Sequence, residues 1–293
     1  MKFSIVTITY NRAKLIADTI QSVIAQDFSD FEHIIIDDGS TDETETVVSS
    51  FNDPRIRYFR FPHGNKRSFL RNEGIRKSQG ENICILDSDD IWMSNKLSRM
   101  KAILETHPDV DFIFHNIEFQ PERTIDGPLF PYSQSFKGSI FKNLLADKIL
   151  PFPVFTITRK ALDKIGLFDE RLTDGQHDLY LRAASQLIAF FETEKLTVMR
   201  KHGQNISDNI NFAHYDDFIV SLEKLRGMKL ISAWRYREQL SRVYGKNAYI
   251  YMNDKKLPAA KKFYGKSFLA APASIRGLKS AFMCLSLYLK GAN

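Results

Sequence analysis

Short apolar runs alternate with stretches of helical periodicity along most of the chain. After the first run, Ile16, Ile20 and Val23 recur every three or four residues, which is the spacing of one face of a helix. The runs expected to form strands cover residues 3–9, 33–36, 55–61, 83–86 and 110–116. Strands that alternate with helices predict an α/β protein, built on a mainly parallel sheet with helices on its faces.

The starts of the predicted helices carry residues that commonly cap them. Asn11 precedes the first helix, and Ser40 or Thr41 precedes the second. These side chains are expected to accept hydrogen bonds from the N-terminal amides of those helices. Ser94 is expected to do the same for the helix after the fourth strand. Beyond residue 211 the pattern is helical, which predicts a helical C-terminal extension.

The composition is typical of a globular protein. Of 293 residues, 43% are hydrophobic and 26% are charged. No apolar run reaches the roughly 18 residues that a membrane-spanning helix needs. The two cysteines, Cys84 and Cys284, lie far apart, which argues against a disulfide scaffold and a cysteine metal centre and suits a reducing compartment. The chain starts in a strand pattern rather than a signal peptide, so a cytoplasmic location is expected.

The net charge of +6 is unevenly distributed. Residues 211–293 hold 15 Lys and Arg against 5 Asp and Glu, and no acidic residue follows Asp254. In residues 255–293, basic and apolar positions interleave, which predicts binding to an anionic membrane surface. The alternative is a helix that packs on the fold and exposes a solvated basic face. Nucleic acid is not an expected partner, because no nucleic-acid-binding module is recognisable.

Polar groups follow three of the predicted strands directly. They are Thr9-Tyr10-Asn11, Asp37-Asp38-Gly39-Ser40 and Asp87-Ser88-Asp89-Asp90. The carboxyl ends of parallel strands lie at one edge of a sheet, so these groups are expected to converge where α/β sheets bind ligands. Converging carboxylates repel one another unless a cation compensates, and Asp-x-Asp suits a hard divalent cation. The alternative for this motif alone is a solvated turn.

Several short motifs occur in a fixed order between residues 8 and 90. They are Ile-Thr-Tyr-Asn at 8–11, Ser-Val-Ile-Ala-Gln at 22–26, Ile-Ile-Ile-Asp-Asp-Gly-Ser-Thr-Asp at 34–42, Leu-Arg-Asn-Glu-Gly-Ile at 70–75, and Gly-Glu at 80–81 leading to Leu-Asp-Ser-Asp-Asp at 86–90. This ordered set resembles the family 2 glycosyltransferases of the GT-A fold. The resemblance implies a donor half at 1–100 and an acceptor half at 101–210, followed by the extension at 211–293.

The resemblance implies inverting transfer of a sugar from a nucleotide-sugar, usually a UDP-sugar, to a hydroxyl group. It implies that Asp38 accepts a hydrogen bond from the base and that Arg71 meets the phosphates, which a guanidinium suits. Asp89 is implied as a ligand of Mn2+ or Mg2+. Residues 200–207 resemble the family's R-x-H-x-x-N-x-S motif, which implies that His202 reaches the metal or the diphosphate. The residues implied to bind the donor are Thr9, Tyr10, Asn11, Asp38, Arg71, Asp87, Ser88 and His202.

The base that activates the acceptor hydroxyl is less clear from the sequence. In the family that this chain resembles, the base lies in a motif that typically reads E-D-x-D-L-x-L-R. Residues 178–182 match the last five positions of that motif. Gly175 and Gln176 stand where the acidic pair is usual. Asp178 and Asp174 are therefore both candidates for the catalytic carboxylate, of which the match favours Asp178 by a narrow margin, and His177 is a further residue whose side chain commonly takes up a proton near neutral pH. Capping of the next helix is the alternative role of Asp178.

The favoured interpretation is a metal-assisted, inverting glycosyltransferase that acts on a glycan or a lipid-linked saccharide. Resemblance and basic tail together predict a peripheral protein on the inner face of the bacterial plasma membrane. A catalytically silent sugar- or lipid-binding scaffold of the same fold is one alternative, supported by Gly175 and Gln176. A nucleotidyltransferase is disfavoured, because no glycine-rich phosphate loop follows the first strand. The sequence leaves the sugar, the nucleotide, the acceptor and the oligomeric state open.

Overall fold

The chain forms two compact units, Met1–Asp208 and Asn209–Asn293. The computed structural model describes residues 2–121, 130, 132–146, 154–203 and 213–290. Unit 1 contains a nine-stranded sheet with helices on its faces, and unit 2 is helical. The predicted α/β sheet with a helical C-terminal region is therefore confirmed. The predicted division of unit 1 at residue 100 stays a prediction.

The sheet of unit 1 is parallel on one side and mixed on the other. Its strands are β1 (Phe3–Thr9), β2 (Phe31–Asp37), β3 (Ile56–Arg60), β4 (Asn82–Ile85), β5 (Ile91–Trp92), β6 (Phe112–Gln120), β7 (Phe136–Gly138), β8 (Phe155–Thr158) and β9 (Ala189–Arg200). Their order is β3-β2-β1-β4-β8-β6-β9-β5, with β7 paired to β9. Strands β3, β2, β1 and β4 run parallel. Strand β8 enters antiparallel between β4 and β6.

Helices cover both faces of this sheet. They are α1 (Ala13–Ile24), α2 (Thr44–Ser49), α3 (Arg67–Lys77), α4 (Lys96–Thr106), α5 (Phe141–Leu145), α6 (Arg159–Ile165) and α7 (Gln176–Gln186). Side chains of α1 and α2 pack with Ile35 of β2, and Met100 of α4 packs with Ile5 of β1. Helix α3 lies on the opposite face, where Gly74 approaches Val6 and Ile36. Alternating strand residues point to opposite faces, which explains how one strand serves both layers.

The expected helix caps are wrong in unit 1. Helix α1 begins after Arg12, α2 after Glu43 and α4 after Asn95, and none of these N-cap residues makes a side-chain cap. The Asn11 carboxamide instead accepts a hydrogen bond from the Thr41 amide at 2.8 Å. A tertiary contact between two strand-end loops therefore replaces the local cap that the sequence predicts. Helix α6 and the short strands β5 and β7 were not predicted.

Unit 2 consists of helices packed through small polar and aromatic side chains. They are α8 (Ala213–Gly227), α9 (Ala233–Asn253), α10 (Leu257–Ala270) and α11 (Ile275–Lys290). The Ser267 hydroxyl of α10 lies 3.1 Å from that of Ser241 on α9 and 2.8 Å from that of Ser280 on α11. An apolar cluster that includes Tyr264 and Leu287 completes this packing. Among the described residues of the chain, no helix is both long and apolar enough to cross a bilayer.

Candidate active site

Three neighbouring strands bring the predicted polar groups to one edge of the sheet. Thr9, the last residue of β1, lies beside Asp37, the last residue of β2. On its other side, β1 pairs in parallel with β4, and only Leu86 separates the end of β4 from Asp87. The Thr9 hydroxyl is buried without a hydrogen-bond partner. The expected convergence at the carboxyl ends of β1, β2 and β4 is therefore present.

Asp38 lies in a pocket built by the turn after β3. Its carboxylate accepts hydrogen bonds from the Gly64 amide at 3.2 Å and the Asn65 amide at 3.1 Å. The His63 Nδ1 atom lies 2.9 Å from the same carboxylate. The ring of Tyr10 stacks on that of His63, with centroids 3.9 Å apart and planes inclined by 13°. This corner combines a fixed carboxylate with a flat aromatic surface, and the two together suit a planar nucleobase.

Gly39 allows this corner to close. Its φ is +73°, a conformation that residues with a Cβ atom seldom adopt. A Cβ atom at this position would lie 2.7 Å from the His63 amide nitrogen and 2.9 Å from the Phe61 carbonyl oxygen. The turn that holds Asp38 can therefore approach the segment after β3 only because residue 39 lacks a side chain.

Arg71 links the strand edge to a distant part of the chain. Its guanidinium is buried and donates at 3.0 Å to the carboxylate of Asp174, while its other terminal nitrogen lies 3.7 Å from Asp87. Arg67, one helical turn earlier, donates to the second oxygen of Asp174 at 2.7 Å. Despite its burial, these two arginines lower the pKa of Asp174 to about 2. Arg71 Nε has no hydrogen-bond partner.

The three aspartates after β4 form a compact acidic cluster. One carboxylate oxygen each from Asp87, Asp89 and Asp90 lies within 4.8 Å of the others. Burial raises the pKa of Asp87 to about 6, the nearby guanidinium of Arg71 opposes this rise, and the Asp89 carboxylate adds to it. Burial and the two neighbouring carboxylates also raise the pKa of Asp90. This repulsion and the hard oxygen donors fit a divalent cation such as Mn2+ or Mg2+.

His202 and Arg200 extend the cluster from the end of β9. The His202 Nε2 atom lies 2.9 Å from a carboxylate oxygen of Asp89. The Arg200 amide donates to Asp90 at 3.2 Å, and the Arg200 side chain reaches the carboxylate of Asp18 at 2.6 Å. The sequence-predicted His202 is therefore brought to the acidic cluster. The remainder of its motif, residues 204–207, lies outside the described residues.

Asp178 occupies a different environment from Asp174. It is buried on α7 and accepts a hydrogen bond at 2.8 Å from Arg182, one turn later. The same guanidinium donates to the carbonyl oxygens of Gly166 at 3.0 Å and Leu167 at 2.8 Å. The contacts of Asp178 and Arg182 therefore tie α7 to the loop after α6. Capping of α7 by Asp178 is wrong, because Gly175 is the N-cap residue.

The sequence model of glycosyl transferase family 2 matches residues 4–166, more than half of the chain. The chain belongs to glycosyl transferase family 2. An uncharacterized glycosyltransferase of Rickettsia bellii is 31% identical over 208 residues, which cover 70% of this chain and 29% of that protein. Escherichia coli K12 WcaA, named for colanic acid biosynthesis, is 32% identical over 198 residues, with 64% and 68% covered.

The fold of this family 2 chain is also that of solved structures. The crystal structure of S. aureus TarS 1–349 in complex with UDP-GlcNAc superposes with a TM-score of 0.75 at 16% identity. The superposition covers 98% of this chain and 89% of the TarS chain. At that identity the likeness shows the fold, which is of the GT-A type.

Several residues of this family 2 site were not singled out from the sequence. They are His63 and Asn65 beside Asp38, and Arg67 beside Asp174. A sequence signal for His63 and Asn65 exists, because they lie in a polar run directly after β3, a strand that pairs with β2. Arg67 gave none, because its partner Asp174 is more than one hundred residues away in sequence.

Proposed function

We propose that the chain transfers a sugar from a nucleotide-sugar, with a UDP-sugar as the donor, to a hydroxyl of a glycan or lipid-linked saccharide with inversion. The observation that carries this proposal is the meeting of Asp38, Arg71 and the cluster of Asp87, Asp89 and Asp90 at one sheet edge. Such an edge is where open α/β sheets bind nucleotides.

The proposed donor roles follow from the chemistry of each group. The Asp38 carboxylate accepts a hydrogen bond from the base, and Tyr10 with Thr9 lines the nucleoside. Arg71 meets the phosphates, because a buried guanidinium offers planar, charge-assisted donors. Asp87 and Ser88 contact the ribose or sugar, and Asn11 holds the loop that contains Ser40 and Thr41.

Asp89 is the proposed ligand of Mn2+ or Mg2+, and His202 is its proposed neighbour in the site. When bound, the metal supplies charge stabilisation to the departing nucleoside diphosphate. Asp90 differs from Asp89, because it is buried and already accepts a hydrogen bond from the Arg200 amide. We assign Asp90 to holding the turn.

Between the two candidate bases, we favour Asp174. Arg71 contacts both Asp174 and Asp87, so this carboxylate lies beside the proposed donor site. Asp178 is buried against Arg182 instead. With its low pKa, Asp174 is ionised at neutral pH and accepts a hydrogen bond from an acceptor hydroxyl. So low a pKa makes Asp174 a weak base, and the assignment rests on its position beside Arg71 and the donor site.

Two relatives whose names state their acceptors support a lipid-linked saccharide as the acceptor. An Escherichia coli protein, 30% identical over 140 residues, is a UDP-Glc:alpha-D-GlcNAc-diphosphoundecaprenol beta-1,3-glucosyltransferase. A Campylobacter jejuni protein, 38% identical over 107 residues, is a beta-1,3-glucosyltransferase that acts on an undecaprenol-linked saccharide. We therefore propose that this chain works at the cytoplasmic face of the plasma membrane, where lipid-linked acceptors are extended.

A catalytically silent scaffold is the second candidate. It is favoured by Gln176, which stands where the family motif usually carries an acid, and by the engagement of Asp178 with Arg182. Such a protein would bind UDP and release none from any UDP-sugar.

The first test measures UDP release from a panel of UDP-, GDP- and TDP-sugars with Mn2+ present, alongside calorimetric binding of UDP. We expect UDP release from at least one UDP-sugar. In Asp89→Asn that rate should fall about a hundredfold or more, because the proposed carboxylate ligand of the metal becomes a neutral amide. The control Asp109→Asn removes an exposed carboxylate that pairs with Lys137. Undiminished turnover in Asp89→Asn would refute the metal role, and UDP binding without any turnover would favour the scaffold.

A further inference from the structure

Helix α11 carries apolar side chains on two opposite faces. Ile275, Leu278, Phe282 and Leu285 are 77%, 59%, 71% and 60% exposed, respectively. Their spacing of three, four and three residues places them in one row along the helix, here called the outer stripe. Ser280 and Leu287, on the opposite face, are buried.

The packing of unit 2 fixes which face of α11 points outward. The Ser280 hydroxyl lies 2.8 Å from that of Ser267 on α10, and Leu287 belongs to the cluster with Ala260 and Tyr264. At Gly277, a Cβ atom would lie 2.0 Å from the Ala271 carbonyl oxygen. Rotating the helix to bury the outer stripe would break these contacts, so the stripe needs another cover.

An exposed row of this kind is unusual on a soluble protein. Single exposed apolar residues are common, whereas contiguous apolar patches mark sites of interaction with a protein or a membrane. From Ile275 to Leu285 the row extends about 15 Å along the helix axis, at about 1.5 Å per residue. It is therefore long enough to lie along a surface.

The charges beside the outer stripe select its partner. Lys279 is exposed on the same helix and lines a shallow cavity together with Ile275, Leu278, Phe282 and Met283. No acidic residue follows Asp254 in the sequence. Two copies of this face would bring like charges together, whereas an anionic lipid surface complements them.

We propose that α11 lies flat in the interface of a membrane that contains anionic lipids. The outer stripe enters the boundary between headgroups and acyl chains, and Lys279, which flanks the stripe, lies among the lipid phosphates. The sequence predicts that residues 255–293 bind the membrane, and this proposal limits the inserted part to α11. In α10, Ala260 and Tyr264 are buried in the core of unit 2 and only Leu257 and Leu269 are large exposed apolar residues, twelve positions apart, so the continuous apolar row belongs to α11.

The test uses the full chain and vesicles of phosphatidylglycerol and phosphatidylcholine in equal parts, with phosphatidylcholine vesicles for comparison. We expect the wild type to co-sediment with the anionic vesicles. The double variant Leu278→Ser/Phe282→Ser keeps every charge, and its partition coefficient should fall roughly tenfold or more, because two large apolar side chains no longer enter the lipid.

A matched control is Tyr249→Ser, which removes an aromatic residue that is 56% exposed on α9, away from the stripe. It should bind anionic vesicles as the wild type does. The charge variant Lys279→Gln should weaken binding to anionic vesicles and reduce the salt dependence that accompanies it.

Three results would overturn the proposal. They are absence of wild-type binding to anionic vesicles, equal binding by the Leu278→Ser/Phe282→Ser variant, and a wild-type dimer in sedimentation that this variant dissociates. UDP release by the same variant in vesicle-free solution should match the wild type. Vesicle binding without turnover would leave this proposal standing while the proposed function failed, so the two failures are distinguishable.

Discussion

At the scale of single residues, neighbours decide what each carboxylate can do. Asp174 lies between Arg67 and Arg71, and its pKa falls to about 2. Asp87 has a pKa of about 6, because burial and the Asp89 carboxylate raise it more than the Arg71 guanidinium, 3.7 Å away, lowers it. Two aspartates that touch the same Arg71 therefore have opposite shifts. The difference follows from the number and closeness of the cations.

The two candidate bases should fail in different ways when they are changed. Asp174→Asn is expected to lower kcat about a hundredfold or more, the range of a lost general base, with a smaller loss of stability than Asp178→Asn because the Asp87 carboxylate still faces Arg71. Asp178→Asn leaves the buried Arg182 without its carboxylate, and is expected to lower the free energy of unfolding by about 3–5 kcal/mol.

The measurements are kcat with the best donor of the panel and the unfolding midpoint in urea for both variants. If Asp178→Asn kept wild-type stability and lost kcat, while Asp174→Asn kept its kcat, Asp178 would be the base.

At the scale of elements, helix α3 positions Arg67 and Arg71 at the site. Asn72 on the same helix donates to the Phe168 carbonyl at 2.9 Å and accepts from the Phe168 amide at 3.0 Å. Gly74 brings α3 against β1, since a Cβ atom there would lie 2.3 Å from a Val6 methyl carbon. The distance between helix and sheet is thus set by a missing side chain.

Gly74→Ala is expected to destabilise the fold by about 1–3 kcal/mol, the usual cost of an extra buried methyl group. The control Gly265→Ala lies in α10, where nothing stands within 4 Å of the added Cβ atom, and it should stabilise by about 0.5–1 kcal/mol. Urea denaturation of both variants provides the comparison. Equal stability of Gly74→Ala and the wild type would show that α3 can shift away from β1.

At the scale of the whole molecule, buried histidines make the fold sensitive to acid. His33 in the centre of β2 is buried beside the Thr7 hydroxyl at 2.9 Å. Burial lowers its pKa to about 3, an effect that Asp53 partly opposes. His115 is also buried, and burial with the nearby Lys96 lowers its pKa too. Both rings are neutral in the folded protein.

Stability should therefore fall as the pH falls. The unfolded His33 takes up a proton near pH 6.5, whereas the folded ring resists protonation down to about pH 3. Its contribution is complete above about pH 6.5 and is lost toward pH 3, at about 1.4 kcal/mol per pH unit. His33→Gln should reduce the slope of unfolding free energy against pH. An unchanged slope in His33→Gln would contradict this account.

Local pattern was enough to predict much of the parallel half of the sheet. Strands β1, β2 and β4 are short apolar runs that end in polar clusters, and the ordered motifs identify the family. The edge at which Asp38, Asp87 and Asp89 meet follows from parallel pairing alone. These features were readable because each depends on residues that are close together in sequence.

Other features depend on contacts between distant residues, which no local pattern encodes. The sequence by itself determined the strand ends, the acidic cluster and the basic tail. Only the tertiary structure decided that Asn11 braces a loop instead of a helix, that Arg71 joins Asp87 to Asp174, and that α11 turns an apolar row outward. The reason is physical: periodicity fixes which residues share a face, whereas packing against other elements fixes where that face points.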